Sequence, residues 1–162
     1  MILFKIVPIE EIKLEILKEE GNVQNFPKTV DFPFPECYKK LVTLIKTTEI
    51  STETILYSAV EAFNNNKEFV STDHWCFAGN GQGDHWLMDK EHAIFFYDHD
   101  YDEKLQPMNI HFEQWLQMAY VIQQLDAYFS EHEDISESVR EGFYDALNAI
   151  HPKLAENYPF IT

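Results

Sequence analysis

Apolar positions recur at helical spacing in several stretches and at strand spacing in one central block. Between Pro8 and Gly21, Ile9, Ile12 and Ile16 fall on one side, and Leu17 widens it. Pro8 with Glu10 and Glu11 fits a helix start, and Gly21 fits its stop. Asn22 to Phe34 has two Phe-Pro pairs and no period, which predicts a loop. Pro35 opens a second helix, Glu36 to about Thr47, with Tyr38, Leu41, Val42 and Ile45 inward. Thr54 to Tyr57 reads as a short strand. Ser58 and Glu61 then form the capping box of a short helix ending near Asn64. Gln106 and Pro107 break the chain, and Asn109 caps a long helix to about Phe129. Its stripe of Phe112, Trp115, Leu116, Ala119 and Ile122 is widened by Met118, Val121, Leu125 and Phe129, the breadth of a helix lying across a sheet. A charged loop, Ser130 to Asp134, precedes a last helix with Val139, Phe143, Leu147 and Ile150 inward. Pro152 ends that helix, and the tail through Tyr158, Pro159, Phe160 and Ile161 is apolar enough to dock.

The strand-spaced block begins with an approach from Val70 and runs from Trp75 to Glu103. It holds three of the five glycines, Gly79, Gly81 and Gly83, between two aromatic-rich runs. Strand, glycine turn, strand, a polar turn at Lys90-Glu91-His92 and a third strand, Ala93 to Asp98, follow from this pattern. The glycines and Asp84 are expected to be structural, with Gly81 or Gly83 at φ > 0 and Trp86 largely buried. The third run is apolar at both parities, which predicts a strand covered on both faces. The fold expected for residues 1–162 is therefore a single α+β domain. Its twisted, mainly antiparallel sheet contains a central three-stranded meander, with helices packed against it.

Phe77-Ala78-Gly79, Gly83-Asp84-His85-Trp86 and Tyr97-Asp98-His99-Asp100, followed by Phe112 and the Trp115-Leu116 pair, stand in an order that resembles the central meander of the SUKH superfamily. Pro35-Glu36-Cys37-Tyr38 resembles that family's Pro-x-x-Tyr helix, although Lys46-Thr47-Thr48-Glu49 follows where the family has an Asn-Gly turn. The resemblance implies the same α+β layout and a non-catalytic protein-binding module. Many bacterial members are immunity proteins that neutralise a toxin, often a nuclease, by occlusion, and fungal members act as regulatory scaffolds in cell-wall assembly or signalling.

Charge sharpens this picture. The formal net charge is −16, yet residues 1–46 hold seven lysines and seven acids and sum to zero. Residues 47–162 hold five basic residues against 21 acids, so the whole excess lies there. Such a field disfavours nucleic acid and anionic membranes and attracts a basic protein, here expected to be a cognate toxin domain. No apolar run reaches a membrane span, and the amino end resembles no secretory leader, which predicts a cytoplasmic protein. Cys37 and Cys76 match no metal or redox spacing and read as reduced core thiols.

The candidate chemistry is mostly negative. Gly79 to Gly83 fits neither the dinucleotide fingerprint nor a Walker loop. Asp98-x-Asp100-x-Asp102 opens like a calcium loop, but Glu103 stands where glycine is needed and Asn109 where a bidentate Glu is needed. His74, His85, His92 and His99 lack the helical spacing of zincins, so neither a metal nor any other cofactor is expected. No nucleophile elbow occurs and no catalytic residue is assigned. Two acidic clusters remain as the expected partner face. One is Asp98, Asp100, Tyr101, Asp102 and Glu103 at the exit of the third strand, and the other is Glu131, Glu133 and Asp134. A metal-dependent hydrolase built on the Asp and His residues of the meander is the enzymatic alternative.

Overall fold

The computed structural model describes residues 4–18, 21, 23–68, 73–100, 105–160 and 162. Val70, Tyr101, Asp102, Glu103 and Ile161 lie outside the described residues. The elements run α1 (Ile9–Leu17), α2 (Glu36–Val42), β1 (Thr48–Ser51), β2 (Thr54–Leu56), α3 (Ala59–Asn66), β3 (His74–Gly79), β4 (His85–Asp89), β5 (Ile94–Tyr97), β6 (Leu105–Pro107), α4 (Phe112–His132), α5 (Glu137–Ile150) and α6 (Leu154–Asn157). The six strands form one antiparallel sheet in chain order, β1-β2-β3-β4-β5-β6. The fold is α+β.

The meander forms because aromatic residues of β3, β4 and β5 meet α2 and α4 on one face. Trp86 is wholly buried, 4.8 Å from Phe96 across the strands and 6.0 Å from Trp115 of α4 (ring centroids). Phe77 meets Trp115 edge-on at 4.8 Å, and Tyr38 of α2 meets Phe112 at 5.2 Å. These edge-on pairs add to the burial of large rings. One core cluster extends from Ile12 to Leu154. The loop before α2 joins it, since Phe26 and Phe34 both pack against Trp75. Where β2 ends, the side-chain amide of Asn66 in α3 takes over as partner of β3. Its Nδ2 donates to the Cys76 carbonyl at 2.7 Å, and its Oδ1 accepts from the Cys76 N–H at 2.8 Å.

Several elements differ from the periodicity. β1 occupies Thr48–Ser51, where no alternating apolar pattern marks a strand. β6 includes Pro107, which an edge strand tolerates because one side of its ladder needs no donor. β5 is not covered on both faces. Ile94 and Phe96 are buried while Phe95 and Tyr97 are only partly so, because β5 lies next to the edge and β3 and β4 take the centre. α4 starts at Phe112 rather than after Asn109, which sits at φ 59°, and the His111 N–H donates to Gln114 Oε1 at 2.9 Å. α2 stops at Val42, short of the expected end. The tail docks as expected, with Phe160 at 5.0 Å from Phe96 and 6.1 Å from Trp86. Among the described residues, no helix is long and apolar enough to cross a membrane.

The Trp75 Nε1–H donates to Tyr38 Oη at 2.9 Å inside this core. Tyr38→Phe leaves that buried donor unpaired and is expected to cost about 1–2 kcal/mol in urea unfolding. Adding Trp75→Phe removes the donor, so the double variant should be more stable than the sum of the two single losses. Strict additivity would show that the bond contributes nothing.

Candidate functional site

Antiparallel order places three connections at one end of the sheet: the β1–β2 turn, the β3–β4 loop and the exit of β5. Asn80 ties them together. Its Oδ1 accepts from the N–H groups of Gln82 and Asp84, both at 3.0 Å. Its Nδ2 donates to Asp84 Oδ2 at 3.1 Å and, at 3.3 Å, to Glu53 Oε1 of the β1–β2 turn. Asp84 is buried, and its Oδ1 accepts from the His99 N–H at 3.2 Å and meets His99 Nδ1 at 2.6 Å. The Trp86 indole N–H donates to the Glu53 carbonyl at 2.8 Å. Across the turn, both carboxylate oxygens of Asp126 in α4 accept from Thr52, from its N–H at 2.9 Å and its hydroxyl at 3.0 and 3.2 Å.

Two glycines have a local reason. Gly83 takes φ 90°, the left-handed region that closes the loop. A Cβ at Gly79 would run into the Tyr57 hydroxyl. Gly81 has open space around it.

The electrostatics follow from these contacts. Burial opposes ionisation of Asp84, but hydrogen bonds from the His99 ring, the Asn80 amide and the His99 N–H outweigh it and hold the carboxyl below its usual range. The same bond raises His99, with help from Asp100, whose Oδ1 is 3.3 Å from His99 Nε2. Glu53 moves the other way. Burial pushes its carboxyl up to about 7, with repulsion from Asp126 and Asp84 added, and the weak Asn80 bond does not offset this.

Of the sequence-predicted partner residues, Asp98 and Asp100 stand at this end of the sheet, with Asp98 Oδ1 accepting from the Asp100 N–H at 2.9 Å. Tyr101, Asp102 and Glu103 fall outside the described residues. Glu131 belongs to the last turn of α4 rather than to a loop, Glu133 is its left-handed C-cap and Asp134 follows; all three are exposed. Acids at a helix C-terminus oppose its dipole, so helix stability does not explain them. Ser130 and Ile135, their chain neighbours, line a groove shared with Thr52, Glu53 and Asp126. Glu53 in turn lines a second cleft with Asp84 and Asp98. Sequence reasoning missed Glu53, Asp126 and Asn80. Glu53 sits in an unrecognised hairpin, and Asp126 is a lone acid in an otherwise apolar and amide-rich helix stretch.

The four meander histidines do not converge. His92 Nε2 is 2.6 Å from the Pro33 carbonyl, His85 Nδ1 is 3.5 Å from Cys76 Sγ, and His99 is bound to Asp84. Among the described residues, Asp84, Asp98 and His99 form the one group with ligand atoms within 4.8 Å of one another. They could hold a cation, although both Asp84 oxygens already accept from protein donors. The Cys76–His85 pair is no nucleophile. Cys76 is wholly buried, its thiol is pushed up by that burial, and burial lowers His85. Compared with protein-family models, curated proteins and solved structures, the chain matches none.

Glu53 sets a pH signature. Its folded-state value lies above its ordinary 4.5, so between about pH 4.5 and 7 the folded chain binds the extra proton and stability falls as pH rises. Glu53→Gln should remove about 1 kcal/mol of that fall, after allowance for partial exposure. Urea unfolding at both ends of the window measures it, and parallel curves for the two proteins would contradict the assignment.

Proposed function

We propose that this protein is a non-catalytic binding module of the SUKH type, an immunity protein that acts in the cytoplasm by covering a basic toxin domain with its acidic sheet end. The observation that carries the reading is the distribution of ion pairs. Among the described residues, lysine pairs occur at Lys13–Glu10, Lys18–Glu15, Lys40–Glu36 and Lys90–Asp73. None involves Glu53, Asp84, Asp98, Asp100, Asp126, Glu131, Glu133 or Asp134. Among the described residues, the one cation paired with these acids is His99, when protonated. Uncompensated charge gathered on one face speeds encounter with a basic partner and excludes acidic ones. A nuclease, whose own site must attract phosphate, has the complementary surface.

The partner domain would be encoded beside this chain, and the product of the upstream gene is the ligand to use. Replacing Asp100, Asp102 and Glu103 together by Lys is expected to slow association at least about tenfold at low salt and to reverse its salt dependence. Tyr101→Ala should mainly speed dissociation, by a factor equivalent to ~2 kcal/mol if the ring is an anchor. Rates are read at two ionic strengths, with thermal unfolding as the folding control. Unchanged rates in folded variants would move the interface elsewhere. Near-stoichiometric zinc in the chain purified without added metal, with loss of stability on chelation, would instead favour the metal-dependent hydrolase.

A further inference from the structure

The C-terminal half of α4, the β1–β2 turn and the tail enclose an open groove of about 370 Å³. Its walls are mainly apolar. Leu125 and Ile135 line it, with the rings of Phe129, Tyr158 and Phe160, and Phe129 is 52% exposed. Two carboxylates, Glu53 and Asp126, line the same groove. Asp126 is fixed by the two Thr52 donors, so its position is set before any partner arrives. Glu53 and Phe160 also line a second cleft of about 290 Å³ that leads to Asp84 and Asp98. The two therefore share a wall, and the second reaches the acidic rim at Asp98.

We propose that this groove is the socket for an arginine side chain of the basic partner, with the guanidinium between Glu53 and Asp126 and its plane against the exposed ring of Phe129. The proposal rests on the reading of the protein as a binder of basic proteins. Charge complementarity decides the occupant. Among the described residues, the titratable groups facing Glu53 are Asp126 from α4, Asp84 from the β3–β4 loop and the Tyr158 phenol from the tail, and none of them is a cation. Arg140, the only arginine of the chain, donates through Nε to the Thr162 carbonyl at 2.8 Å instead of pairing with either carboxylate. A neutral apolar occupant would further desolvate two carboxylates that are hydrogen-bonded but paired with no cation among the described residues, which is costly. Arginine satisfies all three features of the groove, because its planar fork binds carboxylates and stacks on aromatic rings while its stem covers apolar wall. Lysine would supply the charge without the stacking.

Binding a cation favours the ionised form of Glu53, so the complex releases a proton and tightens as pH rises through about 7. The probe is the capped peptide acetyl-Gly-Arg-Gly-amide, titrated into the intact chain and followed by amide NMR, with its citrulline counterpart as the uncharged isostere. Saturable shifts at Thr52, Glu53, Asp126 and Phe129 are expected, with citrulline at least about tenfold weaker. Phe129→Ala, at an exposed position that leaves the core intact, should weaken the arginine peptide severalfold. Asp126→Asn should do so more strongly, and affinity should rise severalfold between pH 6 and 8. Equal binding of citrulline, or shifts spread over all acidic surfaces without saturation, would overturn the proposal. An arginine peptide that binds here while the upstream product does not bind the chain would refute the immunity reading alone. An upstream product whose dissociation is untouched by Phe129→Ala would refute the socket alone.

Discussion

A buried carboxylate has to be paired, and the pairing of Asp84 holds one end of this molecule together. Three donors from two connections meet at its two oxygens, and Asn80 extends the network to a third connection through Glu53. Without these bonds, the β3–β4 loop and the exit of β5 would each carry unsatisfied polar groups where the tail and Trp86 close the core beneath them. The acidic rim is therefore displayed on a fixed frame. Rigid display matters for a binding surface, because ordering loops during association costs affinity.

The same frame explains why the acids at this end behave differently. Asp84 accepts enough hydrogen bonds to stay ionised despite burial, while Glu53, with one long bond and two carboxylate neighbours, is held close to neutrality. The network thus separates a structural carboxylate from one that, among the described residues, no cation helps to ionise. Natural proteins keep such uncompensated groups where function requires them, since stability alone would select their removal. The exposed acids at the C-terminus of α4 belong to the same category, being placed against the helix dipole beside the same groove.

Much of this was legible in the sequence, for identifiable reasons. The meander announced itself through aromatic runs around Gly79 to Gly83, because a tight antiparallel connection needs a left-handed residue and a buried sheet needs large apolar side chains. The broad stripe of α4 likewise declared a helix lying on that sheet. β1 did not declare itself, since Thr48-Glu49-Ile50-Ser51 has one apolar residue and its pairing is set by β2 and by contacts with α4, such as the Gln123 bond to the Ile50 carbonyl at 3.0 Å. Ser130-Glu131-His132 looked like a loop because polar residues at a helix end and in a loop share a composition. Asp98 and Asp100 were found as a local run. Glu53 and Asp126 were not, because their neighbourhood joins residues 74 positions apart and only the tertiary fold creates it.

The central claim is that the acidic end of the sheet is the face that meets a basic partner. Amide hydrogen exchange of the chain, alone and with an excess of the upstream-encoded domain, tests it most directly. The account predicts added protection at Thr52–Thr54, at Asn80–Asp84, at the β5 exit from Asp98 and at Glu131–Ile135, with α1 and α2 unchanged. Protection confined to α1, α2 and the loop between them, with the acidic end exchanging as in the free chain, would contradict it.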